Sequence, residues 1–243
     1  DRMKIKCLAT GSNGNCYILA AGDGTSLILD CGIPIAEIKR GLGYNMTGVV
    51  GAVCTHKHLD HARAVKRLED MLIPVFKPYD GMKTMSMLGG CFTARGFDLT
   101  NLSGEWMHTD ADGAPCPCYG YIITHPEMGT MVYVTDTELC KYRFNDVNHI
   151  LVSCNYQKDK IKLDDPKTAH VLRGHMELET VKGMVKANAS QELVNVMLCH
   201  MSRENAVPEE CVAEVKKVAC GANVVAMERG MEIELKNTRC PFL

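Results

Sequence analysis

Four residues able to bind a metal fall within six positions, in the run His56-Lys57-His58-Leu59-Asp60-His61. Histidines at i and i+2 of a short extended segment face the same side and can share one ion. Asp60 and His61 stand at the expected start of a helix beginning near Ala62. They leave the backbone in another direction and suit a second ion a few ångströms away. A solvated, histidine-rich loop is the bland account of one such residue, and a poor one for four directly after a buried strand. Two adjacent ions need further ligands, and His108, Asp136 and His200 stand at strand ends or in polar loops. A carboxylate such as Asp136 can bridge both ions.

The elements that must position these groups are read from apolar periodicity. Strands are expected at Ile5 to Leu8, Cys16 to Ala20, Ser26 to Leu29, Val49 to Cys54, Tyr119 to Ile123, Met131 to Val134, Ile150 to Val152, Leu193 to Leu198 and Val224 to Met227. Helices are expected at Ile35 to Gly41, Ala62 to Met71, Gly81 to Leu88, about Met176 to Ala187, and about Pro208 to Cys220. The last opens on a proline and stops at Gly221, the usual asymmetry of helix ends. No linker, low-complexity tract or repeat interrupts the series, which reads as one α/β domain over residues 1–243.

Five apolar strands end in a residue that binds metal or donates a hydrogen bond. These are Asp30 after SLIL, His56 after AVCT, Asp136 after MVYVT, Asn155 after ILVSC and His200 after VNVMLC. One polar strand end means little, since turns begin with polar residues. Five point to a shared edge, because ligands of α/β folds gather beyond the carboxyl ends of strands.

Composition narrows the class. The chain of 243 residues is long enough for a full core without disulfide staples, and its 13 cysteines are scattered. Met3 reads as the natural start, with Asp1 and Arg2 as extra residues. No signal peptide opens the chain and no apolar run suggests a membrane span, so a reducing cytoplasm is the expected compartment and no membrane the expected partner. A formal net charge of −2 lacks the footprint of a dedicated nucleic-acid binder, so any such contact must be local.

The run THKHLDH from Thr55 resembles the THxHxDH signature of the metallo-β-lactamase superfamily, and LILDCG from Leu27 resembles that superfamily's first motif. The resemblance implies a four-layered αβ/βα sandwich of two mixed sheets with outer helices. It implies that His56, His58 and His108 hold one metal, that Asp60, His61 and His200 hold the second, that Asp136 bridges, and that Asp30 steadies the ligand loop. ATGSNGNCYIL from Ala9, CNYQKDK from Cys154, RGHMELE from Arg173 and LCHMSRENAVPE from Leu198 resemble the YycJ/WalJ-like subfamily. Its members are regarded as DNA-processing exonucleases, which implies phosphodiester hydrolysis with DNA as substrate. Tyr156-Gln157-Lys158, where that subfamily is acidic, and Met176-Glu177, where it has Leu-Ser, depart from the pattern and bear on substrate identity.

Supporting residues have two readings each. Gly11-Ser12-Asn13-Gly14-Asn15 is either a plain hairpin turn or a phosphate cradle in which Ser12 and Asn13 meet substrate. Asn155 is expected on the substrate side. His175 is either a helix-start histidine or a group that donates to a phosphoryl oxygen or leaving group. Lys158, Lys160, Lys162, Lys167 and Arg173 are a solvated face, or track a phosphate backbone. Cys116-Pro117-Cys118 reads as ordinary reduced thiols.

The expected chemistry is attack by a metal-activated water that Asp60 orients, with His175 offsetting phosphoryl charge. A small-molecule hydrolase acting on a thioester, lactone or lactam shares every ligand and is the alternative. A redox di-iron centre with a flavin partner domain is a third reading, for which no additional domain is present. Two divalent ions are expected, zinc first, with manganese or iron also suited to these donors.

Overall fold

The computed structural model describes residues 2–80, 91–102, 106–109, 114–161 and 174–238. Its strands form two large mixed sheets because short runs of β-branched and aliphatic residues alternate between faces that are both covered. The first sheet has the order β15 (Glu232–Glu234), β1 (Lys4–Ala9), β2 (Cys16–Ala20), β3 (Ser26–Leu29), β4 (Val49–Val53) and β5 (Val75–Phe76). The second has the order β14 (Asn223–Ala226), β13 (Asn195–Cys199), β12 (His149–Ser153), β11 (Gly129–Val134), β10 (Tyr121–His125), β7 (Phe97–Asn101) and β6 (Cys91–Ala94). A separate ribbon pairs β8 (Trp106–Thr109) with β9 (Pro115–Cys118).

The pleat sorts the side chains into layers. Leu27 and Leu29 of β3 face a central core shared with Tyr133 and Leu151, while Ile28 faces an outer core. That outer core is closed by α1 (Ile35–Gly41) and α3 (Val65–Asp70). On the far side, Ile150 and Val152 pack against α4 (Leu178–Asn188) and α5 (Pro208–Lys216). The result is helix, sheet, sheet, helix. No helix of the described residues is long and apolar enough to cross a membrane.

β2, β3 and α1 have the bounds expected from sequence. The helix expected from Ala62 is instead split into α2 (Leu59–Ala62) and α3. The Ala64 N–H donates to the Cys31 carbonyl, which ties the break to the loop after β3. The helix expected from Met176 starts two residues later, since the Met176 carbonyl accepts from the Asn155 N–H. The expected helix Gly81 to Leu88 lies outside the described residues. Strands β5 to β9 and β15 were not expected. β9 is the sequence PCPC, whose prolines argue against a strand, and it is tolerated in a ribbon of only two strands.

Candidate metal centre

β3 and β4 run parallel in the first sheet, and β11, β12 and β13 run parallel in the second. Asp30, His56, Asp136, Asn155 and His200 therefore leave their strands at carboxyl ends. Asp30, Asp136 and His200 adopt φ of 53°, 47° and 49°. Such left-handed backbone costs non-glycine residues on the order of 1 kcal/mol and persists where surroundings over-determine it.

Asp30 is fully buried and saturated with donors. Its carboxylate accepts from the Thr55 N–H (2.8 Å), the Thr55 hydroxyl (3.1 Å to each oxygen) and the Tyr133 hydroxyl (2.6 Å). It also lies 2.7 Å from His61 Nδ1. One carboxylate thus fixes the residue preceding the histidine run and orients His61, leaving Nε2 to face inward.

Inside that frame the donors converge on Asp136. Its Oδ2 lies 2.7 Å from His61 Nε2 and 3.6 Å from His56 Nε2. Its Oδ1 lies 3.1 Å from His175 Nδ1 and 3.5 Å from His200 Nδ1. Asp60 Oδ2 is 3.4 Å from His61 Nε2 and 3.5 Å from His200 Nε2. His58 Nδ1 is 3.1 Å from His56 Nε2, whose Nδ1 is backed by the Thr55 hydroxyl at 3.0 Å. Among the described residues, three groupings bring their donor atoms within 4.8 Å of one another: His56, His61 and Asp136; Asp60, His61 and His200; and Asp136, His175 and His200.

These donors fit divalent ions. Two ligands of a tetrahedral ion, each about 2.1 Å from it, are about 3.4 Å apart, and the donor separations of 2.7, 3.1 and 3.6 Å around Asp136 lie close to that. Buried Asp136 Oδ1 accepts no well-directed hydrogen bond despite the imidazoles beside it, as suits an oxygen meant for a cation. Burial would raise the Asp136 carboxyl, but His200 and His61 hold it well below the usual carboxylate range. Burial likewise opposes ionisation of Asp60, and is outweighed by His200 and His61. Burial disfavours a charged His61, yet Asp30 and Asp136 push it far above an ordinary imidazole. The cluster favours positive charge in this region, which a proton or a metal ion in its place can supply.

The loop at Gly11 to Asn15 braces the site from behind. The Asn15 N–H donates to the Asp60 carbonyl (2.7 Å), and its side-chain amide lies 3.1 Å from His61 Nε2. The same amide bonds back to the Gly11 carbonyl, closing the loop. Gly32 lets this loop and the ligand loop touch: a Cβ there would lie 1.7 Å from the Asp60 carbonyl oxygen. The Thr10 hydroxyl accepts from the His200 N–H at 2.9 Å.

Other expected site residues fall as follows. Ser12 and Asn13 are exposed at the loop tip. The Asn155 amide donates to the His200 carbonyl (3.0 Å) and lies 3.2 Å from its Nδ1, so it supports His200. His175 stands among the metal-type donors, with 11% of its side chain exposed. The backbone of His108 pairs with Cys116, but its side chain lies outside the described ones, as do Lys162, Lys167 and Arg173 entirely. Cys116 and Cys118 are buried, and burial pushes the Cys118 thiol up, away from the thiolate a ligand needs. Sequence reasoning missed Thr10, Asn15, Thr55 and Tyr133. A legible signal existed for Thr55, inside the THKHLDH run, and for Tyr133, a phenol in an apolar strand that must find a polar partner.

Among curated proteins none matches this chain. Residues 9–73 match the model of the metallo-beta-lactamase superfamily. Of solved structures, the metallo-beta-lactamase fold protein YhfI from Bacillus subtilis is 20% identical, with 96% of this chain and 100% of that chain covered and a TM-score of 0.66. Yeast PDE1 is 12% identical, with 96% and 99% covered and a TM-score of 0.67. Igni18, a metallo hydrolase from the hyperthermophilic archaeon Ignicoccus hospitalis, is 17% identical, with 96% and 99% covered and a TM-score of 0.64. The stretch that matches the superfamily's model spans the Asp30 loop and the histidine run, and the chain shares the two-sheet sandwich fold of these structures.

Proposed function

We propose that this chain is a metal-dependent hydrolase with two divalent ions, zinc or manganese, that cleaves phosphodiesters of DNA as an exonuclease of the YycJ/WalJ-like type. The observation that carries the reading is Asp136, whose two oxygens face different imidazole sets, His61 and His56 on one side, His175 and His200 on the other. A carboxylate so disposed can bridge two ions. Donors that are all nitrogen and oxygen suit hard phosphate ligands, and the metallo hydrolase Igni18 shares the fold.

When bound, such ions supply Lewis acidity and acidify an attacking water. The chain's own residues supply orientation and protons. Asp60, with 27% of its side chain exposed, accepts a hydrogen bond from the incoming water. His56, His58, His61, His200 and the side chain of His108 complete the ligand set. His175, at the edge of the buried cluster, donates to a phosphoryl oxygen or to the departing alkoxide. Exposed Ser12 and Asn13 offer polar groups to the adjoining phosphate. The 13 cysteines, scattered along the chain rather than set out as a disulfide framework, suit a reducing cytoplasm.

The test is degradation of 5′-labelled single-stranded and duplex DNA by protein stripped of metal and then given zinc or manganese, beside Asp60→Ala. Metal-dependent nucleotide release, absent from the variant, is expected. Inert DNA with turnover of a thioester, lactone or lactam would move the assignment to a small-molecule hydrolase.

A further inference from the structure

The chain leaving Asp136 carries a feature that the metal centre does not use. Asp136, Thr137 and Glu138 lead from the site, and Glu138 accepts from the N–H of Gly174, the residue before His175. Then comes Leu139-Cys140-Lys141-Tyr142-Arg143-Phe144, in which exposed residues alternate with the buried Cys140 and the half-buried Tyr142 and Phe144. Tyr142 and Phe144 are half-buried against the core beneath α4 and α5, their rings 6.3 Å apart. Lys141 and Arg143 point to solvent and form no ion pair among the described residues.

This strip forms one wall of a hollow of about 460 Å³, and exposed positions of α4, Gly183 and Ala187, form the other. Ala187 is shared with a second hollow of about 330 Å³ that continues past Phe144. A Cβ at Gly183 would meet nothing within 4 Å, so the groove floor is open. Lys186, exposed on the same helix, is a third cation without an ion pair among the described residues. The acidic group lining the first hollow, Glu179, is bound to Lys182 at 2.7 Å. Lys141 is five residues from Asp136, which bounds their separation at about 18 Å.

We propose that the Lys141–Phe144 strip and the facing surface of α4 bind the single nucleic-acid strand that extends beyond the scissile phosphate. Lys141 and Arg143 each take one backbone phosphate, and the two half-buried rings anchor the strip that carries them. The contact is sequence-independent, since cations on phosphates carry no base information. It answers how a chain of formal charge −2 engages a polyanion: the positive charge is local and leads away from the metal centre. The proposal rests on the nuclease reading above, so binding and turnover are measured separately.

The experiment compares wild type with Lys141→Gln/Arg143→Gln in three measurements. These are anisotropy of a fluorescein-labelled 12-nucleotide single strand over a salt series, hydrolysis of that strand, and hydrolysis of bis(p-nitrophenyl) phosphate. Arg40→Gln/Arg95→Gln, which removes two exposed cations elsewhere, controls for net charge. The expected result is oligonucleotide binding weakened about tenfold, a salt slope lower by about 1.4 (two phosphates at about 0.7 each), and an unchanged small diester rate. Binding and salt slope equal to wild type would overturn the strip while leaving the nuclease reading intact. A wild type that binds the strand through Lys141 and Arg143 but cleaves neither substrate would sink the nuclease reading and retain the strip.

Discussion

Replacing Gly32 with alanine tests whether the ligand loop is positioned by close backbone approach. The added Cβ would stand 1.7 Å from the Asp60 carbonyl oxygen and 2.7 Å from the His61 nitrogen, whereas ordinary contact begins at 3.4 Å. Both obstructing atoms are backbone, so no rotamer change relieves the overlap, and the segment carrying Asp60 and His61 must retreat by about 1.7 Å (3.4 − 1.7). The retreat also breaks the bond that the Asn15 N–H donates to the Asp60 carbonyl. Ligand distances tolerate about 0.2 Å, so the site should lose metal affinity by at least the 10–100-fold seen when supporting contacts are removed. Overpacking adds a stability loss of about 1–3 kcal/mol. Metal content by mass spectrometry after gel filtration, competition with a chromophoric chelator, and thermal melts with and without chelator read these effects apart. Gly183→Ala, in an exposed helix with open space at the new methyl, should keep its metal and gain about 0.5–1 kcal/mol. A Gly32→Ala protein that holds metal with wild-type affinity would refute the argument.

Other outcomes are as definite. Tyr133→Phe removes a 2.6 Å hydrogen bond to a buried carboxylate, and should cost about 1.5–3 kcal/mol in a urea melt and weaken metal binding; an unchanged midpoint would show that Asp30 does not depend on it. Stripping divalent ions should lower the unfolding free energy by about 2.7 kcal/mol relative to protein at an ion concentration 100 times Kd, and superimposable melts would contradict an ion-binding cluster. Burial of His149 lowers its imidazole to about 4 from an ordinary 6.5, so the unfolded chain takes up a proton that the folded one refuses. The associated stability is full above about pH 6.5 and is lost as pH falls towards 4, roughly 3 kcal/mol in all. His149→Gln should flatten that part of the pH–stability curve, and an equal slope in the variant would assign the loss to other groups.

The sequence alone determined what depends on near neighbours. The histidine run is a local pattern, as are the bounds of β3 and α1 and the polar residues that follow β3, β4, β11, β12 and β13. Those strand ends were legible because an apolar run forces a strand, and its first polar residue marks where the chain leaves the core. The tertiary structure decided everything that requires two distant segments to meet. Asn15 looks like a turn residue until its N–H is found on Asp60, and Tyr133 looks like core until its hydroxyl is found on Asp30. Asn155, expected to face substrate, is engaged with His200, and His175 stands 3.1 Å from Asp136 across 39 residues of chain. Residue type announces that a group can bind a metal or a proton. Which groups share an ion is a matter of tenths of an ångström, and those distances arise only when the two sheets pack and bring their strand ends to one edge.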